Sequence, residues 1–212
     1  MSYHTVIFDL DGVICHTDRY HYQAWKRIAD DLGIEFNESI NNRLRGVSRM
    51  DSLDIILERH KGCLTAEEKE RLAGKKNELY KELLKQMTPA DLSGEVRDTL
   101  DELKRRGLVL AIGSSSKNTR YILGRLGLAD FFDAVSDGNN ISRSKPDPEV
   151  FLKAAEYACS DPADCLVVED AGAGVEAAKA AGMDCVAIGA AAGCGMADYS
   201  LQGFAELLRI VA

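Results

Sequence analysis

Short apolar runs that end in polar residues are the feature of this sequence that most restricts its fold. Residues 6–8 are followed by an acidic turn, 108–113 by three serines, and 165–168 by two acidic residues. A fourth run, 185–188, ends at a glycine. Near-continuous apolar runs of this length predict strands that are buried on both faces, as in a parallel sheet.

Segments with a helical period separate these runs. The spacing of apolar residues predicts helices over 96–106, 119–126, 149–157 and 174–181, and a glycine follows three of them. Strands therefore alternate with helices along most of the chain. This alternation predicts the α/β fold class, with a doubly wound (Rossmann-like) parallel sheet and right-handed crossovers.

The region of residues 15–92 breaks the alternation. It is helical and rich in charge, with a first helix expected to begin near Asp18 and a last helix expected over 66–87. A crossover between neighbouring strands needs roughly a dozen residues, and this region is several times longer. We therefore expect a discontinuous α/β core domain of residues 1–14 and 93–212, interrupted by an inserted α-helical cap domain of residues 15–92.

The charge and composition of the chain exclude several kinds of partner. Its 212 residues include 34 Asp and Glu against 26 Lys and Arg, a formal net charge of −8. Because non-specific nucleic-acid binding depends on Lys and Arg, no nucleic-acid partner is expected. No apolar stretch approaches the ~20 residues that span a bilayer, so no membrane partner is expected. The start of the chain lacks a signal-peptide pattern, and the six cysteines form no Cys-x-x-Cys pair. We therefore expect a cytoplasmic protein with free thiols. We also expect a monomer.

Polar residues at the ends of the predicted strands form a candidate site, because ligands of open α/β sheets bind beyond the carboxyl ends of the strands. Carboxylates from two strand ends repel each other unless a hard cation lies between them, and Mg²⁺ is the natural one. A hydroxyl and a lysine beside that cation suit a phosphate. In the Asp-x-Asp pair, one carboxylate can attack phosphorus while the second moves a proton. The residues at these positions are Asp9, Asp11, Ser114, Glu169 and Asp170, with Lys145 in the loop between the second and third of these strand ends.

These residues resemble, in order and spacing, the four motifs of the haloacid dehalogenase-like superfamily of aspartyl phosphotransferases. The matching segments are Asp9-Leu10-Asp11-Gly12-Val13-Ile14, Ser114, Lys145-Pro146 and Glu169-Asp170. The resemblance covers essentially the whole chain. It implies that Asp9 becomes an aspartyl phosphate and that Asp11 is the general acid and base. It also implies one Mg²⁺ per site, held by Asp9, the main-chain carbonyl of Asp11, Glu169 and Asp170, and a transferring phosphoryl group held by Ser114 and Lys145.

The predicted cap resembles that of the sugar-phosphate mutases in this superfamily, through residues 21–26, 45–52, 75–77 and 114–118. The implied reaction interconverts β-D-glucose 1-phosphate and β-D-glucose 6-phosphate. It passes through an aspartyl-phosphate enzyme and β-glucose 1,6-bisphosphate, which is also the priming phosphodonor. The alternative is a sugar-phosphate phosphatase of the same superfamily that uses the same aspartate nucleophile.

Several residues of the cap and of the loop after the second strand are expected to bind the substrate. Arg49 is either a solvated charge at a helix end or a bidentate grip on the non-transferring phosphate, and the resemblance favours the grip. It also implies that Thr17, His21 and Lys76 position the general acid, although a packing role for His21 fits the sequence equally well. Trp25 is interpreted mainly as cap core. The remaining residues of the expected substrate site are Gly46, Val47, Ser48, Ser52, Ser115, Ser116, Lys117 and Asn118.

Some of the same motifs also fit other interpretations. Residues 116–118 also fit the start of a helix whose amides assist phosphate binding. Residues 171–174 lack the Gly-Lys-Ser/Thr ending of a nucleotide loop and are expected to form a tight turn behind the metal carboxylates. A phosphoacceptor signalling module would carry its aspartate on a central strand well into the chain. A dehalogenase would leave Asp11 without a leaving alcohol to protonate.

Overall fold

The computed structural model describes residues 3–60 and 62–211, and its centre is one parallel sheet. The strands are β1 (Thr5–Phe8), β2 (Val109–Gly113), β3 (Ala134–Ser136), β4 (Cys165–Glu169), β5 (Asp184–Ile188) and β6 (Tyr199–Leu201). They lie in the order β3-β2-β1-β4-β5-β6, and every neighbouring pair is parallel. The predicted doubly wound α/β class is confirmed. The order reverses beside β1, which is where such sheets bind their ligands.

Nine α-helices accompany this sheet in the described part of the chain. They are α1 (Asp18–Asp31), α2 (Glu38–Asn42), α3 (Arg49–Leu57), α4 (Ala66–Leu84), α5 (Gly94–Arg105), α6 (Thr119–Arg125), α7 (Glu149–Tyr157), α8 (Gly172–Ala180) and α9 (Leu207–Ile210). None of the helices described is long and apolar enough to cross a membrane.

Both faces of the sheet are buried, as the apolar runs predict. Val6 and Phe8 of β1 join a cluster with apolar residues of α5, α6 and α9, whereas Ile7 joins a second cluster with those of α7 and α8. Alternate side chains of a strand point to opposite faces, so a central strand with both faces covered is apolar at nearly every position, as Val6, Ile7 and Phe8 of β1 are. Cys165 and Cys185 are fully buried in the second cluster as small apolar residues.

Helices α1 to α4 follow β1 and have an apolar cluster of their own. Trp25, Phe36 and Leu53 are among its members. Tyr20 of α1 and Tyr80 of α4 instead belong to the cluster that contains Val6 and Phe8 of the sheet. The helical insertion is therefore present, while the domain boundaries at residues 15 and 92 stay predictions.

The structure differs from the predicted secondary structure in two strands and at the ends of two helices. Strands β3 and β6 were not predicted, because three residues at a sheet edge are too few to show a pattern. Helix α4 ends at Leu84, three residues before the predicted end. Residues 171–174 do not form a separate turn: α8 begins at Gly172, and the Gly174 N–H already donates to the Ala171 carbonyl over 3.0 Å.

Candidate active site

The site begins where β1 and β4 end side by side. The two strands pair in register, with Phe8 opposite Val168, so Asp9 emerges next to Glu169. The Asp9 N–H donates to the Val168 carbonyl over 3.0 Å, which continues the ladder by one residue. Carboxylate oxygens of Asp9, Glu169 and Asp170 lie within 4.8 Å of one another. The strand register therefore brings together the three side chains expected to bind the metal.

Lys145 bridges two of these carboxylates. Its Nζ lies 2.5 Å from Asp9 Oδ1 and 2.5 Å from Glu169 Oε1, and its side chain is only 1% exposed. Burial alone would lower the pKa of this ammonium, but the two carboxylates raise it above its usual range. Lys145 is therefore a permanent cation at the centre of the site.

One lysine does not balance the negative charge of the cluster. Burial raises the pKa of Asp9, and the neighbouring carboxylates of Glu169 and Asp170 raise it further, against the opposing effect of Lys145. Burial and the charge of Glu169 also raise the pKa of Asp170, to about 7. Burial is the largest cause of both shifts, and the mutual repulsion of the carboxylates adds to it, so a further positive charge beside them would favour their ionised forms. A hard divalent cation with oxygen ligands would supply that charge.

Two glycines allow these carboxylates to lie so close to the backbone. A β-carbon on Gly174 would lie 1.8 Å from Glu169 Oε1, and one on Gly12 would lie 2.0 Å from Asp170 Oδ2. Gly12 also has a φ of +92°, a conformation that L side chains rarely adopt. Glu169 Oε2 accepts from the N–H groups of Asp170 and Ala171 over 2.8 and 2.9 Å. The backbone therefore holds the acidic pair in place.

The side chain of Asp11 lies apart from the acidic cluster. Its Oδ1 accepts a hydrogen bond from the hydroxyl of Thr17, which is completely buried. Burial raises the pKa of Asp11 to about 6, with a smaller contribution from Asp18 and an opposing one from the Thr17 hydrogen bond. A carboxyl with this pKa can both give and take a proton near neutral pH. Binding of a metal by its main-chain carbonyl stays a prediction.

The loop after β2 presents hydroxyls and amides to the same space. Ser114 Oγ accepts from the Ser116 N–H, and Ser116 Oγ accepts from the Asn118 N–H, each over 3.2 Å. Ser115 Oγ is buried with no hydrogen-bond partner among the described residues. Asn118 directly precedes α6, and its side-chain amide donates to Asn77 Oδ1 of α4 over 2.9 Å. This loop therefore joins the core to the insertion.

Three basic side chains of the insertion face the loop and the carboxylates. Arg49 opens α3, whose N-cap is the hydroxyl of Ser48, and no ion pair involves Arg49 within residues 3–60 and 62–211. Lys76 is 2% exposed, and burial, with the nearby charge of Arg49, lowers its pKa to about 7. His21 Nδ1 lies 2.9 Å from Lys76 Nζ, and burial keeps the pKa of this ring well below its usual value. The observed partner of His21 is Lys76, and its predicted bond to Asp11 stays a prediction.

One cavity of about 800 Å³ is lined both by residues of the sheet side and by residues of the insertion. We call its sheet side the core wall (Asp9, Asp11, Ser114, Lys145, Glu169 and Asp170) and its helical side the cap wall (His21, Arg49 and Lys76). Of the residues that the sequence predicts to act, only Thr17 does not line the cavity; it lies behind Asp11. Trp25 lines it too, but it is 2% exposed and belongs to the apolar cluster of the insertion.

Sequence reasoning missed two residues, Arg45 and Tyr80, that hold this arrangement together. Arg45 pairs with Asp18 over 2.5 Å and lies 3.7 Å from Asp170, so it connects the insertion to the acidic cluster. Tyr80 donates to Thr17 across 63 positions of sequence. Arg45 lies within the segment 45–52 that carries the resemblance, which was a usable signal, whereas nothing in the local sequence marks Tyr80.

Comparison with known proteins identifies the class of enzyme that this fold and site define. A family model for haloacid dehalogenase-like hydrolases matches residues 3–182. The chain therefore belongs to the haloacid dehalogenase-like family.

Individual relatives act on sugar phosphates. A β-phosphoglucomutase from Bacillus subtilis is 43% identical over 87% of this chain and 82% of the relative. A phosphorylated carbohydrates phosphatase from Thermotoga maritima is 33% identical over 84% of this chain and 82% of the relative. The crystal structure of a β-phosphoglucomutase from Clostridium difficile matches with a TM-score of 0.92 and 36% identity, over 98% of this chain and 93% of that one.

Proposed function

We propose that this protein is a sugar-phosphate mutase that interconverts β-D-glucose 1-phosphate and β-D-glucose 6-phosphate. The main support is that one cavity has two different walls. Crowded carboxylates and Lys145 lie on the core wall, and Arg49 and Lys76 lie on the cap wall. A mutase must bind a bisphosphate in two orientations. It therefore needs one phosphate site for the chemistry and a second one opposite.

The core wall would carry out the phosphoryl transfer. The Asp9 carboxylate attacks phosphorus and becomes an aspartyl phosphate, while Asp11 protonates the departing sugar oxygen. In the return step Asp11 removes a proton from the other sugar hydroxyl as that oxygen attacks the phosphoryl group. Ser114 and Lys145 hold the transferring group, because positioning and charge neutralisation dominate this chemistry.

Asp9, the main-chain carbonyl of Asp11, Glu169 and Asp170 would hold one Mg²⁺. When bound, Mg²⁺ neutralises charge on the phosphoryl oxygens. The chain's own residues set its place: Gly12 and Gly174 let the carboxylates approach, and Lys145 pairs with Asp9 and Glu169 but not with Asp170.

The cap wall would hold the phosphate that is not being transferred. Arg49 supplies the bidentate contact, and Lys76 supplies a buried charge. Ser115 to Asn118 offer hydroxyl and amide groups from the core side, with the unpartnered Ser115 Oγ already in place. β-Glucose 1,6-bisphosphate would act as the intermediate and as the donor that first phosphorylates Asp9.

A sugar-phosphate phosphatase is the second candidate function. It is supported by the similarity of the chain to the Thermotoga maritima phosphatase. Both activities use Asp9, Asp11 and Lys145. They differ in whether water or a second sugar hydroxyl reaches the aspartyl phosphate first. The predicted cytoplasmic location, monomeric state and lack of a nucleic-acid partner stay predictions.

Product analysis separates the two activities. The protein is equilibrated with β-glucose 1-phosphate, Mg²⁺ and a trace of β-glucose 1,6-bisphosphate, and glucose 6-phosphate and inorganic phosphate are both measured. A mutase converts the substrate to glucose 6-phosphate with little free phosphate. Inorganic phosphate as the sole product would establish the phosphatase instead.

A further inference from the structure

Tyr80 of α4 lies at the end of a buried hydrogen-bond chain that leads to Asp11. Its hydroxyl donates to Thr17 Oγ1 over 3.0 Å, and the hydroxyl of Thr17 donates to Asp11 Oδ1. Tyr80 is 1% exposed and Thr17 is fully buried. Water therefore does not compete for the bond between Tyr80 and Thr17, and the chain links a helix of the insertion to a residue of the core wall.

The direction of the two hydrogen bonds follows from the number of protons available. An ionised carboxylate only accepts, so the bond between Thr17 and Asp11 uses the single hydroxyl proton of Thr17. The bond between Thr17 and Tyr80 must then use the proton of Tyr80. Burial raises the pKa of Tyr80 well above its usual value, which keeps that proton in place at neutral pH.

The ring of Tyr80 is fixed independently of its hydroxyl. Lys76 Nζ lies 4.4 Å from the ring centroid, and the ring of His21 lies 4.1 Å away. Both contacts involve the aromatic face, so they survive the loss of the hydroxyl. One side chain therefore contacts two members of the cap wall while its hydroxyl reaches towards Asp11.

We propose that Tyr80 is a positioning residue for proton transfer: its hydroxyl holds Thr17 so that Thr17 keeps the carboxylate of Asp11 in one orientation. The proposal rests on the proposed role of Asp11 as general acid and base. The transferred proton moves only between Asp11 and the sugar oxygen, and Thr17 and Tyr80 keep theirs. Because α4 belongs to the insertion, the orientation of Asp11 depends on where that helix lies.

The variant Tyr80→Phe removes the hydroxyl and keeps the ring. We expect kcat on the sugar phosphate to fall roughly tenfold with little change in KM, because one buried hydrogen bond is lost while the phosphate sites remain. The burst of nitrophenolate from p-nitrophenyl phosphate should be unchanged, since this leaving group needs no proton from Asp11. An equal loss in both reactions would overturn the proposal, because it would place the defect in the fold or in the phosphorylation of Asp9.

A double-mutant cycle with Thr17→Val tests whether Tyr80 acts through Thr17. If it does, Tyr80→Phe has no further effect once Thr17→Val is present. Additive losses would mean that Tyr80 acts independently of Thr17 and would overturn the proposal. Tyr20→Phe is the matched control, because it removes a hydroxyl from another buried tyrosine that contacts Arg19 instead; its kcat should equal that of the wild type.

The product of the wild-type enzyme is determined first, so that the two proposals fail separately. If the wild type releases only inorganic phosphate, the mutase assignment fails. The cycle is then run on that hydrolysis, where non-additive losses still support the role of Tyr80 and additive losses still overturn it.

Discussion

The core wall and the cap wall of the cavity differ in how their charges are partnered. On the core wall, Lys145 lies 2.5 Å from each of two carboxylates, yet Asp170 still has a pKa raised to about 7. On the cap wall, Arg49 has no carboxylate within ion-pair distance among the described residues, and burial lowers the pKa of Lys76 to about 7. The core wall therefore has more carboxylates than cations, even with Arg45 3.7 Å from Asp170, and the cap wall has cations without an anion.

This difference assigns different partners to the two walls. Buried charges without partners are unstable and change protonation state instead. A divalent cation would restore the ionised state of the core carboxylates, and a phosphate dianion would restore the charge of Lys76. A phosphatase needs only the first wall, whereas a mutase needs both. Variants on each wall therefore test the comparison directly.

The largest effect is expected from Asp9→Asn on the core wall. An amide cannot attack phosphorus, so turnover should fall by at least about 10⁴-fold. Lys145 keeps its 2.5 Å bond to Glu169, so the fold should be retained. Intact-mass spectrometry after addition of β-glucose 1,6-bisphosphate should show a phosphorylated wild type and an unphosphorylated variant. Substantial residual mutase turnover would refute the assignment of Asp9 as nucleophile.

Arg49→Ala on the cap wall should be the next largest effect. Loss of a buried charge contact to the non-transferring phosphate should slow mutase turnover by roughly 100-fold, while phosphorylation by a small aryl phosphate changes little. Arg43→Ala is the matched control, because Arg43 also lies in the insertion but its guanidinium is exposed and paired with Glu58. Equal losses in both assays would mean that Arg49 supports the fold or the shared site.

The core wall was the more predictable of the two from sequence. Continuous apolar runs identify β1 and β4, and parallel neighbours end at the same edge, so Asp9 and Glu169 meet because of local patterns. Even there, the sequence does not show how closely Gly174 approaches Glu169, because a β-carbon at this position would lie 1.8 Å from Glu169 Oε1 only in the folded chain.

The cap wall depends on contacts between distant segments, which no local pattern reveals. Lys76 meets His21 across 55 positions, and Tyr80 meets Thr17 across 63. Amphipathic spacing predicts that these helices exist but does not specify which residues of two helices touch. The resemblance to a known family named Lys76 and His21, but Tyr80 required the structure.

Asp170→Asn on the core wall should have a smaller effect, and this effect should be confined to the affinity for Mg²⁺. Removing one carboxylate ligand should weaken Mg²⁺ binding roughly tenfold or more in calorimetry. In the wild type, affinity should also fall as the pH drops below about 7, because protons compete with the cation for Asp170. Asp51→Asn is the control, since Asp51 of α3 lines the same cavity but lies outside the acidic cluster. Unchanged affinity in Asp170→Asn would mean that the excess of carboxylates serves another purpose.

The smallest expected effect concerns the cap wall and is the uptake of a proton by Lys76 when phosphate binds. Its pKa of about 7 in the free protein leaves the amine mostly neutral at pH 8. A bound phosphate dianion favours the ammonium form and raises this pKa, so binding at pH 8 should take up a proton, up to roughly 0.9 per site. One to two pH units below the pKa of about 7 the amine is already mostly charged, so the uptake should become small there.

Calorimetry of β-glucose 1-phosphate binding to Asp9→Asn, with saturating Mg²⁺ and two buffers of different ionisation enthalpy, measures this uptake without turnover. Adding Lys76→Met should abolish it. Lys75→Met should not, because the neighbouring Lys75 is exposed and paired with Asp31 at 2.6 Å. Equal proton uptake with and without Lys76 would mean that another group takes up the proton. Arg49 would then be the one cation that the cap wall offers to the phosphate, and the second phosphate site would be weaker.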